Sequence, residues 1–169
     1  MSETSFSAFY VSPIGPLRIS CNNTCITEVH FLNKEEAYSV NNNLPTDAPP
    51  LLRQCIEELI EYFQNKRKIF DVPVYQEGTA FQQRVWNELL NIPFGKTISY
   101  LTLAKRLGDP KVIRAAASTN GKNKIAIIVP CHRVIGSNND LVGYGGGLWR
   151  KKFLLDMETK LIYGVQTLF

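Results

Sequence analysis

Residues 99–120 read SYLTLAKRLGDPKVIRAAASTN, and this stretch decides the fold of the second half of the chain. Ser99 is a residue type that caps a helix N-terminus, and Leu103, Ala104 and Leu107 recur after it at the spacing of one helix face. Gly108 then supplies a C-terminal stop, because glycine accepts the left-handed backbone that closes a helix. Asp109 and Pro110 restart the pattern as an N-cap and a first-turn proline, and the new helix runs to about Asn120. Two helices joined by a tight Gly-Asp turn make a helix-turn-helix pattern, although such pairs are also common packing units. The second helix has an unusual surface: Lys111 and Arg114 stand with Ala115, Ala116, Ala117 and Ser118, small side chains that let another backbone approach closely. A helix packed tightly on its own core would show the same small residues, and both readings can hold on different faces.

Working outward, Thr79-Ala80-Phe81-Gln82 has the form of a capping box. It is followed by Phe81, Val85, Trp86, Leu89 and Leu90 on one face, and this helix must end before Pro93. Towards the N-terminus, Ser12 to Pro16 reads as a turn. Leu17, Ile19 and Cys21 then alternate with polar residues, Asn22 to Thr24 turn the chain, and Cys25, Thr27, Val29 and Phe31 alternate again, which predicts a β-hairpin. Beyond a loop at 41–50, Leu51, Leu52, Cys55, Ile56, Leu59, Ile60 and Phe63 have helical periodicity, and Ile69 to Tyr75 reads as extended. The expected fold class is α+β: a small α/β unit over residues 1–75, then a mostly helical domain over 76–169.

Composition agrees with this division. The chain has 169 residues, and its hydrophobic and charged fractions suit a globular protein with a real core. No apolar run approaches a membrane span, and MSETSFSAFYVSP lacks the basic start and apolar core of a signal peptide, so a cytoplasmic location is expected. Four cysteines in a chain of this length do not suggest a disulfide framework, which makes each a free thiol by default. The formal charge of +4 is unevenly spread: residues 1–75 carry six Lys/Arg against nine Asp/Glu, and residues 76–169 carry thirteen against six. Between Lys96 and Lys124 there are seven bases and one acid, Asp109. That asymmetry is the footprint of a polyanion-binding domain, and it coincides with the helix pair.

Residues 129–135, VPCHRVI, place one of two histidines directly after one of four cysteines. Alone, a Cys-His dipeptide is weak evidence, because buried thiols and satisfied core histidines are common. Its neighbours make it specific. From Thr79 to Glu158 the chain resembles the catalytic domain of the O6-alkylguanine-DNA alkyltransferases, the methylated-DNA–protein-cysteine methyltransferases. The resemblance rests on FQQRVW, FGKTISY, the Arg114 helix, Gly121-Lys122-Asn123, VPCHRVIG and GYGGGLWRKKFLLDME. The segment SPIGPLRIS is similar to part of the family's smaller ribonuclease-H-like domain, and the helix pair would then belong to a winged-helix-like domain.

The resemblance implies a mechanism and its residues. Removing an alkyl group from guanine O6 requires attack at an sp3 carbon, for which a thiolate is the right nucleophile, and Cys131 would supply it. His132 would take the Cys131 proton through a bridging water, and Glu158 would hold the imidazole in the correct tautomer. Asn123 would position the segment leading to Cys131, and Tyr100 would donate a proton to the departing base. The base must leave the duplex stack, and Arg114 would fill the gap from the minor groove, with Lys111, Ala115 and Ser118 also facing DNA. Tyr144 and the run Gly145, Gly146 and Gly147 would form a flexible wall of the base pocket, and the Val134 backbone would read the guanine amino group. Two departures from the family pattern stand out. Lys124 follows Asn123 where proline is common, which predicts a looser hinge, and Gly145 lacks the hydroxyl found after the pocket tyrosine in some members, which predicts a roomier pocket.

The expected partner is double-stranded DNA containing O6-alkylguanine, with O4-alkylthymine as a poorer substrate, bound by a monomer that could act cooperatively. No diffusible cofactor is implied. No metal is expected either: Cys21, Cys25 and His30 have loose ligand spacing, but Cys25 and His30 should face opposite sides of a strand, and a structural zinc needs four ligands. Two rival readings are a catalytically silent alkyltransferase-like DNA-damage binder and a Cys-His thiol hydrolase. The presence of Cys131 opposes the first, and the basic helix pair opposes the second.

Overall fold

The structure is a computed structural model that describes residues 4–38, 40–41 and 43–164. It divides into two compact units: residues up to Gln76 joined by Lys124–Ala126, and Glu77–Asn123 with the chain from Ile127 onward.

In the first unit, β1 (Phe6–Ser12), β2 (Gly15–Cys21) and β3 (Ile26–Phe31) form an antiparallel sheet in that order. The hairpin read at Leu17–Phe31 is therefore the second half of a three-stranded meander. Its first turn is tight because Gly15 takes φ 109° and the Ser12 hydroxyl accepts from the Ile14 N–H at 3.2 Å. A short helix α1 (Lys34–Ala37) follows, closed by a reciprocal capping box between Asn33 and Glu36. Helix α2 (Pro50–Phe63) buries Leu52, Cys55, Leu59 and Tyr62 and packs on β1 and β2. The expected extended piece at 69–75 is not a strand. Pro73 has no N–H to give, so pairing is limited to one bridge at Val74, where Pro73 O accepts from Ile26 N and Tyr75 N donates to Ile26 O.

The segment Lys124–Ala126 pairs with β3: Val29 N donates to Lys124 O, and Ala126 N donates to Val29 O, both at 3.0 Å. The Lys124 N–H itself donates to the buried Gln76 side chain at 2.9 Å. A proline at 124 could not make that bond, so the Lys124 N–H adds a tie to this segment that the family's common proline would lack.

In the second unit, α3 (Ala80–Leu89) begins with the capping box expected from the sequence, Thr79 and Gln82 bonding each other's backbone N–H. Val85, Trp86 and Leu89 are buried, whereas Leu90 is exposed because the helix has already ended. The Trp86 indole N–H donates to Thr119 O at 3.2 Å and joins α3 to the helix pair. That pair is α4 (Tyr100–Arg106), capped by Ser99, and α5 (Ile113–Gly121). Gly108 makes the turn at φ 99°, and Asp109 caps a 3-10 turn over Pro110–Val112 that leads into α5. Ser99 also ends β4 (Ile98–Ser99), which pairs in parallel with β5 (Val134–Ile135). This two-residue ladder brings the start of α4 beside the segment carrying Cys131. Helix α6 (Leu148–Tyr163) closes the unit and ends at Gly164, in the left-handed conformation. Among the described residues, no helix is long and apolar enough to cross a membrane.

Candidate active site

Cys131 opens a 3-10 turn, Cys131–Arg133, at the end of an irregular approach. Ile127 sits at φ 72°, a conformation that costs a β-branched residue about 1–3 kcal/mol and that only a well-tied loop sustains. The ties are specific. Cys131 N and Asn123 Nδ2 both donate to Val129 O at 2.8 Å, and Asn120 Nδ2 donates to Cys131 O at 3.3 Å. Asn120 at the end of α5 and Asn123 just beyond it thus fix the chain on both sides of Pro130.

Cys131 is 7% exposed, and burial holds its thiol above the ordinary range; the Asn123 hydrogen bond and the Lys151 charge pull the other way without overcoming it. The resting group is a thiol, so nucleophilic attack requires a base. His132 next to it is wholly buried, and its Nε2 lies 2.8 Å from Glu158 Oε2. A carboxylate only accepts, so Nε2 carries the proton and Nδ1 keeps its lone pair. Among the described residues Nδ1 has no hydrogen-bond partner. Burial depresses the imidazole pKa, against the opposing pull of Glu158, and keeps the ring neutral near pH 7.

Glu158 is 1% exposed. Burial alone would push its carboxyl up, but His132 and Arg133 together hold it far below the usual carboxylate range. With His132 neutral, the formal charge that keeps Glu158 ionised is the Arg133 guanidinium. Its Nε donates to Oε1 at 2.9 Å and its Nη2 to Oε2 at 3.1 Å, while Nη1 donates to Ile92 O at 2.7 Å. Gly95 N adds a weaker bond to Oε1 at 3.3 Å.

On α6, two turns before Glu158, Lys151 is wholly buried. Its Nζ donates to Val134 O at 2.7 Å, Val142 O at 2.8 Å and Gly143 O at 3.3 Å. Burial pulls its pKa down to about 8, with the Cys131 charge acting upward. The Val134 carbonyl, expected to read a base, is therefore already engaged on one side. Tyr100, the first residue of α4, donates its hydroxyl to Val142 O at 3.3 Å, and burial raises its pKa. Tyr144 is half-buried as a residue, but its hydroxyl end is enclosed, which pushes the phenol well up. Gly145 is exposed, and a side chain added there would meet open space; Gly146 lends its carbonyl to Arg150 Nη1 at 2.9 Å.

On the outer side, Lys111, Arg114, Ala115 and Ser118 are all exposed, whereas Ala116 is buried. The two readings of the small residues hold on opposite faces of α5. Arg114 and Ala117, with Tyr100, Ile113, Val142 and Gly143, line an open groove of about 450 Å³. Sequence reasoning missed Arg133, Lys151, Asn120 and the Val142–Gly143 wall. Lys151 had a usable signal, since it shares one helix stripe with Leu154, Leu155 and Glu158. Among the described residues no group of three or more His, Cys, Asp and Glu is placed to hold a metal.

Two family descriptions match the chain: the ribonuclease-like domain of 6-O-methylguanine DNA methyltransferase over residues 6–76, and its DNA binding domain over 80–160. Among curated relatives, the methylated-DNA–protein-cysteine methyltransferase of Mycobacterium tuberculosis is 43% identical over 94% of both chains. That of Methanosarcina acetivorans is 41% identical over 90% of this chain and 97% of its own. In structure, the M. tuberculosis O6-methylguanine methyltransferase superposes with a TM-score of 0.80 at 39% identity, covering 93% of this chain and 94% of that one. M. tuberculosis OGT in complex with DNA also gives 0.80, at 40% identity and 92% and 93% coverage. The buried Cys-His-Glu cluster thus lies in a chain that matches, over both of its domains, a family named for moving a methyl group from DNA, and this chain belongs to the 6-O-methylguanine DNA methyltransferase family.

Proposed function

We propose that the protein repairs DNA by moving one alkyl group from guanine O6 in a duplex to Cys131, in a single irreversible event. The observation that carries this reading is the tautomer imposed on His132. With Nε2 committed to a carboxylate that Arg133 keeps ionised, Nδ1 is the basic atom, and the neighbouring Cys131 is a thiol in need of a base. The thiol proton passes through a water to Nδ1, and sulfur attacks the alkyl carbon as the C–O6 bond breaks. Tyr100 protonates the guanine as it leaves. The imidazolium formed is stabilised by Glu158, much as a buried acid supports the histidine of a triad.

DNA enters from the side of α5, where Lys111, Arg114, Ala115 and Ser118 are exposed, and Arg114 at the groove edge takes the place of the extruded base. Val134, Tyr144, Gly145 and Gly146 complete the pocket, with Asn123 holding the approach to Cys131. A thioether offers no good leaving group, so one molecule repairs one lesion. The unpaired thiols of Cys21, Cys25, Cys55 and Cys131 support a cytoplasmic setting.

Intact-protein mass after mixing with an O6-methylguanine duplex tests the reading. The protein should gain one methyl and no more, located on Cys131, while Cys131→Ala gains none and still binds the duplex. Tight binding by the unmodified chain with no mass gain would favour a silent damage binder, and repeated turnover would overturn the single-event mechanism.

A further inference from the structure

The run Tyr144–Gly147 is held more firmly than its three glycines suggest. Gly147 N donates to Tyr144 O at 2.9 Å and closes a turn, while Arg150 N and Lys151 N donate to Gly147 O at 3.1 and 3.2 Å. A turn closed only at its ends can still rotate its central peptides. Arg150 removes that freedom from outside the turn: its Nη1 donates to Gly146 O at 2.9 Å, which fixes the peptide between Gly146 and Gly147. The guanidinium is itself held by the neighbouring indole, with Arg150 Cζ 4.6 Å from the Trp149 ring centroid. Trp149 is 58% exposed and adds little to the core. It lies so close over Gly147 that a methyl group added to that glycine would come within 3.3 Å of Cδ1. Trp149, Arg150 and the Gly146 carbonyl thus form a brace on the first turn of α6, built from side chains with no part in the proton relay. A side chain at Gly145, by contrast, would meet open space, so bulk at that position does not decide where this stretch of backbone stands.

The geometry points to Arg150, steadied by Trp149, as a positioning residue that sets alkyl size: it holds the Gly146 edge of the base pocket in place and so limits which groups Cys131 accepts. This inference rests on the reading of Tyr144, Gly145 and Gly146 as pocket wall. Attack at carbon needs the sulfur, the carbon and O6 in line. A methyl group meets that demand without displacing anything. A benzyl group needs room beside the line and gains it by moving the wall, and the cost of drawing the Gly146 carbonyl off a guanidinium is then added to its barrier.

Two duplexes of one sequence, carrying O6-methylguanine or O6-benzylguanine, provide the test. Single-turnover rates on both are measured for the unaltered protein, Arg150→Met and Trp149→Ala, with melting temperatures alongside. Arg150→Met keeps a long apolar stem and loses the donors and the charge. Its benzyl-to-methyl rate ratio should rise by about 5- to 20-fold, the equivalent of one partly exposed hydrogen bond from a charged group. Trp149→Ala keeps the arginine and removes the surface it rests on, so the ratio should rise by about 2- to 5-fold, the equivalent of an exposed cation–π contact. The two duplexes make the same contacts outside the alkyl group, so a lost phosphate contact or a general loosening of the fold slows both reactions together and leaves the ratio where it was. A ratio that stays put or falls in Arg150→Met overturns the inference. Should that variant melt too low to assay, Trp149→Ala, changed at an exposed position, decides by the same criterion. If the unaltered protein takes up neither group on Cys131, the alkyl-transfer reading itself fails; if it takes up methyl and only the ratio is unmoved, this inference fails alone.

Discussion

Glu158 stays ionised at 1% exposure because Arg133 meets it with two nitrogens, and the same guanidinium spends its third on Ile92 O. Breaking a buried pair from one side leaves an uncompensated charge, at a cost of about 3–5 kcal/mol. Arg133→Met should therefore lower the melting temperature by on the order of 10 °C, a loss read directly by thermal denaturation. Arg133→Lys should not restore it, since one ammonium cannot fork a carboxylate and reach Ile92 together. A fall of only a degree or two in both variants would mean that Glu158 is held by other groups. At this scale the resemblance marks Cys131, His132, Glu158 and Asn123; the structure places the first three in one buried cluster, with Asn123, half-buried, tied to Val129 O beside it. Arg133 stood in the same quoted heptapeptide unnoticed. Its partners come from residues 92 and 158, and nothing local in the sequence says that those segments meet. Lys151 was hidden by a different effect: a lysine is read as surface unless something shows three carbonyls converging on it.

The helix pair was readable because its signals are local: Ser99, Gly108, Asp109 and Pro110 each act within a turn of their own position. Strand β1 was not. Its sequence FSAFYVS places apolar residues on both faces, with Val11 61% exposed, so the period-two pattern that betrays a strand is erased. The piece at 69–75, read as extended, makes a single bridge at Val74 and stops short of a strand, with a proline where a longer ladder would need a donor. For α5, the exposure of Arg114 lets its proposed role on DNA be tested apart from the fold. Arg114→Ala should change stability by less than about 0.5 kcal/mol in denaturant titration. It should slow repair of duplex O6-methylguanine much more than reaction with free O6-benzylguanine, since only the duplex leaves a gap to fill. Equal slowing of both reactions would remove the gap-filling role from Arg114.

For the molecule as a whole, the buried His132–Glu158 pair sets the response to acid. The folded-state pKa of His132 lies below its ordinary 6.5, so below that pH the unfolded chain takes up a proton that the folded chain refuses, and stability falls as pH falls. Glu158 acts in the same direction lower down: its stabilisation is complete above 4.5 and is lost as pH drops from there towards its depressed folded value. Urea denaturation across pH should show a decline that begins below about 6.5 and steepens below about 4.5. His132→Gln should remove the first phase and keep the second; a profile flat down to pH 5 would contradict the buried neutral histidine. The sequence divided the chain at residue 75, and what it could not disclose is that Lys124–Ala126 returns to the first unit, a pairing with β3 that depends on residues far apart in the chain. One further consequence comes from the resting state of Cys131, a thiol at 7% exposure. Peroxide and alkylating metabolites react with thiolates that solvent can reach, and they would consume a single-use acceptor as surely as a lesion does. Enclosed and protonated, the sulfur is a poor target for such reagents, and the burial that shields it is the burial that holds it as a thiol.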